Sequence, residues 1–201
     1  EREYPEHYQQ ISQKIALQER ERKDWLQAAM NIYIPYDNAL QIHPQDDSFL
    51  DKRVWDFAST PPEKYPLLLH FHPLVIYRHQ VCKQPDIILA HFLLPDRFPL
   101  DQKGRDYDYY DKITTHDSSL SPSIFSIIAA ELGYLVEASR HFSISCRLDL
   151  QNHFNDTHFG LHMANMAGSW LGLVYGFAGM RTLNGELSFN PCLPKNWQGY
   201  R

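Results

Sequence analysis

Apolar positions change their spacing several times along the chain, and each change predicts an element. Over residues 8–31, Ile11, Ile15, Leu17, Trp25, Leu26 and Met30 form a broken stripe among strong helix formers, which predicts one helix over 8–31. From 34 to 66 the period is lost among Pro35, Pro44, Pro61, Pro62 and Pro66. Phe49, Leu50, Val54, Trp55 and Phe57 in that stretch argue for an ordered loop packed over something rather than disorder. Helical spacing returns near Lys83, with Pro85 in the first turn and Ile87 to Leu94 running up to Pro95. A shorter helix is predicted over 101–110. Pro122 opens another at Ser123–Glu131, Gly133 ends it, and 134–147 follows as its antiparallel partner. The last helix is predicted over 160–176, ending in Gly176.

Beyond that point the pattern alternates. Met180 to Leu183 and Glu186 to Phe189 flank Asn184-Gly185, a short-range hairpin signal. A chain that is mainly α and then turns to β is entering a second domain. The expected division is 1–179, helical, and 180–201, the beginning of a small β domain. Successive antiparallel helix pairs joined by long loops on one side suggest an α/α toroid, although no internal repeat shows this independently.

Composition narrows the function classes. The 201 residues are 43% hydrophobic, ample for a core. A formal charge of −5 and a pI near 6.1 leave no basic footprint, so nucleic acid is not an expected partner. No stretch approaches the 18 apolar residues of a membrane span, and the N-terminus lacks a signal-peptide pattern. Three widely spaced cysteines, Cys82, Cys146 and Cys192, suggest neither a disulfide framework nor a zinc site, which fits a reducing, cytoplasmic setting. Aromatic residues make up 13%; carbohydrate sites use aromatic faces, but aromatic cores are commoner.

The densest candidate chemistry is Thr114-Thr115-His116-Asp117-Ser118-Ser119-Leu120-Ser121-Pro122. Two adjacent hydroxyls just before a helix start make a small anion cradle, since the first N–H groups of a helix are unpaired and its dipole is positive there. The plain reading of the same pattern is an N-cap. Lys83-Gln84 offers donors and an acceptor suited to vicinal hydroxyls, and His162 lies at a second helix start. His116-Asp117-Ser118 is not a nucleophilic triad, because three consecutive residues cannot adopt that relay. His70, His72 and His79 lack a third ligand at suitable spacing, so no metal is expected. Glu131, set among Ala129, Ala130 and Leu132, reads as a helix-packing residue.

Gln45 to Leu50, Tyr65 to Leu74, Tyr77 to Gln84, His116 to Ser121 and Met166 to Trp170 resemble glycoside hydrolase family 65, in order and over residues 24 to 194. The resemblance implies a partial (α/α)6 barrel, about half of a toroid, with the start of a C-terminal β-sandwich. It implies a fragment of an inverting phosphorylase that cleaves an α-linked glucose disaccharide of the maltose or kojibiose type, giving β-glucose 1-phosphate and glucose. In that reading Ser118, Ser119 and His162 bind phosphate, and Lys83 and Gln84 hold the transferred glucose. Asp111, in Tyr109-Tyr110-Asp111, stands where maltose- and kojibiose-acting members carry Glu toward the acceptor sugar, which leaves acceptor identity open. The general acid, a Glu in a Gly-Pro-Asp-Glu-Tyr-like motif, is absent, so no catalytic residue is assigned and the acid is expected upstream of residue 1. The fragment alone is therefore expected to be inactive. Its expected partners are disaccharide, phosphate as co-substrate and the rest of the parent polypeptide, with room for a homodimer and with no cofactor, metal, nucleic acid or membrane. The alternatives are a hydrolase of the same family using water, or a non-catalytic carbohydrate- or partner-binding helical domain; the serine pair favours phosphate.

Overall fold

The computed structural model describes residues 3–183, 185–195 and 197–199. It divides into two compact units, Glu1–Ile34 and Pro35–Arg201.

The first unit corrects the single helix expected over 8–31. It holds α1 (Pro5–Lys14) and α2 (Glu19–Asn31), separated where Ala16 turns to φ +52°. A capping box starts α2 afresh, with the Gln18 N–H donating to Glu21 Oε2 at 2.8 Å. The gap between Leu17 and Trp25 in the apolar stripe is the sequence trace of this break. Neither helix has a buried residue.

In the second unit the proline-rich segment is irregular but ordered. Short 3-10 turns at Phe49–Asp51, Pro62–Lys64 and Leu67–Leu69 punctuate it, and Trp55, Leu67 and Ile76 bury a small core of their own. The short helix α3 (Pro73–Ile76) follows. Strand β1 (Arg53–Val54) pairs in parallel with β2 (His79–Gln80), Arg53 opposite His79. The loop is pinned to a helix by a buried carboxylate: Asp106 accepts the His43 N–H at 2.8 Å, and Tyr110 donates to the His43 carbonyl at 2.7 Å. Burial would raise the Asp106 pKa, but hydrogen bonds from His91, the His43 N–H, Gln102 and the His43 ring bring it below the ordinary value.

Helix α4 (Asp86–Leu93) begins later than expected, with Pro85 as its N-cap. Lys83 and Gln84 therefore lie in a bend before the helix. Then come α5 (Leu100–Asp111), α6 (Ser121–Glu131) and α7 (Leu135–Arg147). Helix α6 is apolar nearly all round and is accordingly the central one, packed by α4, α7, α8 and the segment after α8. Gly133 at φ +78° ends α6 as the sequence implied. Helix α8 (Met163–Leu171) is shorter than the predicted 160–176, because 172–177 winds as a π-helix. It approaches α6 closely at Gly168, where a Cβ would meet Ser123 Oγ at 2.6 Å.

The hairpin is present as β3 (Arg181–Leu183) and β4 (Glu186–Ser188), antiparallel with Leu183 opposite Glu186; Asn184 of its turn lies outside the described residues. Glu131 joins helix to hairpin, its carboxylate taking Lys103 Nζ at 2.7 Å and Arg181 Nη2 at 2.9 Å. Among the described residues no helix is long and apolar enough to cross a membrane.

Candidate functional site

Two segments distant in sequence are laid side by side by backbone pairing. Cys82 N–H donates to Ile113 O at 2.8 Å and Thr115 N–H to Cys82 O at 2.8 Å, a parallel bridge that sets Lys83-Gln84 beside the Thr115–Ser119 loop. The loop is tied down at several points. Ser118 Oγ donates to Gln84 Oε1 and accepts the Leu120 N–H at 3.3 Å, and Asp117 Oδ2 accepts the Leu67 N–H at 3.1 Å. His116, at φ +56°, turns its ring away from these residues, with Nδ1 2.9 Å from Ser121 Oγ. A left-handed non-glycine residue stores strain, and here it directs His116 one way and the serines the other. No Ser118–His116 relay exists.

The facing wall comes from α8 and the loop before it. Ser145 on α7 and Asn165 and Ser169 on α8 form a buried polar rivet, with Ser145 Oγ donating to Asn165 Oδ1 at 2.8 Å and Asn165 Nδ2 donating to Ser145 O at 2.8 Å. One turn before Asn165, His162 caps α8 and is gripped by Asp149 at two points. The His162 N–H donates to Asp149 Oδ2 at 2.9 Å, and Nδ1 lies 2.6 Å from Asp149 Oδ1. Nε2 lies 3.4 Å from Asp156 Oδ2. The hydrogen bond that His162 makes to Asp149, then the charge of Asp156, raise the His162 pKa against burial, and Asp149 is lowered in turn by accepting from His162.

These walls enclose a cavity of about 570 Å³ whose polar lining is Lys83, Thr115, Asp117, Ser118, Ser119, Asp156 and His162. Its apolar lining includes Leu67, Leu69, Ile76, Tyr77 and Phe154. The structure thus brings Ser118, Ser119, His162 and Lys83 to one concavity. Gln84 reaches it only through Ser118 and lines two neighbouring hollows of about 180 and 310 Å³.

Asp111 is not in this lining. It ends α5 inside a second cluster, with His141 Nε2 at 3.4 Å, His116 Nε2 at 3.6 Å and Arg140 Nη2 at 3.7 Å. Burial opposes its charge, but the bonds from His116 and His141 win and hold its pKa far below the usual range. Burial pushes His141 down to about 4 despite its bond to Asp111. One atom each of Asp111, His116 and His141 lie within 4.8 Å of one another, a spacing a metal ion can use, but Arg140 Nη2 at 2.9 Å from His141 Nε2 already supplies the cation there. His72 and His79 are taken up by local backbone: His72 Nδ1 accepts the Leu74 N–H at 3.2 Å, and His79 Nδ1 lies 2.8 Å from Val75 O. Burial pushes Cys82 up to about 12, which removes it as a nucleophile at neutral pH.

No local sequence pattern marks Asp149, Asp156 or His141 as site neighbours. Asp149 meets His162 across 13 positions and His141 meets Asp111 across 30, separations with no local pattern.

The model of the glycosyl hydrolase family 65 central catalytic domain matches residues 2–171, and that of the family's C-terminal domain matches 180–201. The chain is 52% identical, over 98% of its length, to an alpha,alpha-trehalose phosphorylase of Geobacillus stearothermophilus. It is 42% identical over 92% to a maltose phosphorylase of Bacillus subtilis and 36% identical over 94% to a kojibiose phosphorylase of Halothermothrix orenii. It spans about a quarter of these relatives, 26%, 25% and 24% of their lengths. A solved structure assigned to kojibiose phosphorylase from human microbiome superposes with a TM-score of 0.84 at 35% identity, covering 94% of this chain and 28% of the other.

Proposed function

Because this chain belongs to glycosyl hydrolase family 65 and folds as part of that family's helical barrel, we propose that it supplies the phosphate-binding half of a disaccharide phosphorylase site. The observation that carries this reading is the single cavity lined by Ser118, Ser119, Lys83 and His162. Two hydroxyls and a histidine converging on one concavity are suited to a phosphate dianion and its peripheral oxygens, with the Lys83 ammonium beside them for the sugar. The proposed reaction is phosphorolysis with inversion of an α-linked glucose disaccharide. A phosphate oxygen forms the bond to the anomeric carbon while the glycosidic C–O bond breaks on the opposite face, giving β-glucose 1-phosphate and glucose. Phosphate is already anionic and needs holding in line rather than a base. Lys83 and Gln84 are assigned to the transferred glucose and Asp111 to the acceptor side. No resident cofactor is part of this reading.

The leaving oxygen must receive a proton. Neither carboxylate in the cavity lining suits that task, since Asp117 holds the Leu67 N–H and Asp156 faces His162. We assign the acid to the protein outside these residues, and the 201-residue chain alone is expected to show no turnover. Residues 1–179 are read as catalytic-domain barrel and 180–201 as the beginning of a β domain.

Among linkages, the α,α-1,1 bond of trehalose is favoured over the maltose or kojibiose type. Identity is 52% and 48% to the two trehalose phosphorylases against 42% and 36% to the maltose and Halothermothrix kojibiose enzymes. The test is release of glucose 1-phosphate from trehalose, maltose, kojibiose and nigerose by the complete enzyme, with and without Ser118→Ala. Loss of one donor to a reacting anion lowers turnover about 10²–10³-fold. Free glucose alone from every substrate would establish the hydrolase instead, and unchanged turnover in Ser118→Ala would remove the cradle.

A further inference from the structure

We propose that the cavity carries its own anion: the Asp156 carboxylate stands in for phosphate at His162 Nε2, and Asp149 is the positioning residue that aims the ring at either one. The inference rests on the reading of the cavity as a phosphate cradle and adds two residues and a competition to it.

Asp149 fixes His162 completely. One carboxylate oxygen takes the backbone N–H and the other lies 2.6 Å from Nδ1, which orients the ring with Nε2 toward Asp156, a residue of the cavity lining. With Nδ1 beside a carboxylate, the charged form of the ring, which carries a donor at Nε2, is favoured. The groups facing this ring are Asp149 before it, Asp156 on the 3-10 turn side, the Phe154 ring at 6.4 Å, and across the cavity Lys83 and Asp117. Asp117 is engaged by Leu67, which leaves Asp156 as the anion opposite Nε2.

Asp156 is poorly held there. Its Oδ2 is 3.4 Å from Nε2, longer than the 2.7–2.9 Å of a formed charge-assisted bond. Its Oδ1 is shielded from solvent and has no hydrogen-bond partner among the described residues. A carboxylate with one long contact and one orphaned oxygen is readily displaced by a ligand that satisfies the same donor better. Its backbone is not free to follow, because Thr157 N–H and Oγ1 both donate to Asn152 Oδ1, at 3.1 and 2.9 Å. The exchange therefore takes place at the side chain. Phosphate, with several acceptor oxygens for Ser118, Ser119 and His162, can displace it; a monoanion such as chloride gains less.

The experiment measures phosphate affinity by calorimetry between pH 6 and 8.5, and the His162 ring titration by NMR, in the wild type, Asp149→Asn and Asp156→Asn. Asp156→Asn should bind phosphate about five- to tenfold more tightly and become sensitive to chloride, and Asp156→Ser should repeat this. Asp149→Asn should bind about tenfold more weakly. Its ring titration should fall back toward the ordinary histidine value of about 6.5, so that binding fails at lower pH. The sign follows from a raised folded pKa: the charged ring, and with it phosphate binding, is present below that pKa and lost as pH rises through it. Weaker phosphate binding in both Asp156 variants would overturn the competition, and an unmoved ring titration in Asp149→Asn would overturn the positioning role. A wild type with an elevated ring titration but no phosphate binding would overturn the cradle reading and the competition with it.

Discussion

Two carboxylate–histidine groupings share the α5–α6 loop region of this molecule, and they have opposite characters. At the cavity wall, His162 pairs with Asp149 and Asp156, keeps part of its ring accessible and has its pKa raised. In the seam between α5 and α7, His141 also faces a carboxylate, Asp111, yet complete burial pushes it down to about 4. The residue types are the same and the pKa shifts have opposite signs. Desolvation decides the sign, and Arg140 shows why the buried ring can stay neutral: the guanidinium already balances Asp111. The first grouping lines the cavity proposed to take an anion, and the second joins the α5–α6 loop to α7.

The sharpest way to break this contrast is to truncate each histidine in turn. His162→Ala should fold with an unfolding midpoint close to the wild type, because the ring is a wall of a cavity rather than part of the core. In the complete enzyme it should lower phosphate-dependent turnover about 10²–10³-fold. His141→Ala should do the reverse. It removes a fully buried side chain and one partner of Asp111, and should reduce stability by about 2–4 kcal/mol in denaturant titrations. If both substitutions chiefly reduce stability, or both chiefly reduce turnover, the distinction between the two groupings is wrong.

The sequence carried the second half of the fold better than the first. Helix α6 is marked at both ends, by Pro122 and by Gly133, and is mostly apolar between them, with Ser126 inside the run and Glu131 near its end. The hairpin alternates cleanly on either side of its turn. The break at Ala16 was harder to see, because strong helix formers surround it and only the Gln18–Glu21 capping box signals a new start. Lys83 and Gln84 looked like the first turn of a helix. They form a bend instead, between the Cys82 backbone bonds to Ile113 and Thr115 and the helix start at Asp86. At the site, Ser118, Ser119 and Lys83 could be picked from their neighbours in the chain. Asp149, Asp156 and His141 could not, since each acquires its role through a contact that only the folded chain creates.

Acidification tests the same contrast with a smaller effect. His141 has a folded pKa near 4 against an unfolded value of about 6.5. Above pH 6.5 the ring is neutral in both states and contributes nothing. As pH falls from 6.5 toward 4 the unfolded chain takes up a proton that the folded chain refuses, and roughly 3 kcal/mol of stability should be lost across that window. His162 has the opposite sign, its contribution being complete below its unfolded pKa and lost only as pH rises through the raised folded value. Thermal unfolding between pH 4 and 8 should therefore show an acid limb that flattens in His141→Gln and persists in His162→Gln. An acid limb unchanged in His141→Gln would show that the seam histidine is not the group that titrates.

The smallest expected effect concerns the loop the two groupings share. Ser121, nearly fully buried, holds His116 Nδ1 at 2.9 Å and so fixes a residue at φ +56° whose other nitrogen faces Asp111. Immediately beyond His116 the chain passes to Asp117, Ser118 and Ser119 in the cavity lining. Ser121→Ala removes the bond and leaves Nδ1 without it, which should reduce stability by about 1 kcal/mol. The consequence should not stop at the seam. A His116 ring free to reorient relaxes the left-handed turn that aims the serines, and phosphate affinity should fall about two- to fivefold, with His162 still titrating at its raised value. Paired measurements of unfolding midpoint and phosphate affinity decide the matter. A stability loss with unchanged affinity would mean that the cavity and the seam are neighbours without being coupled.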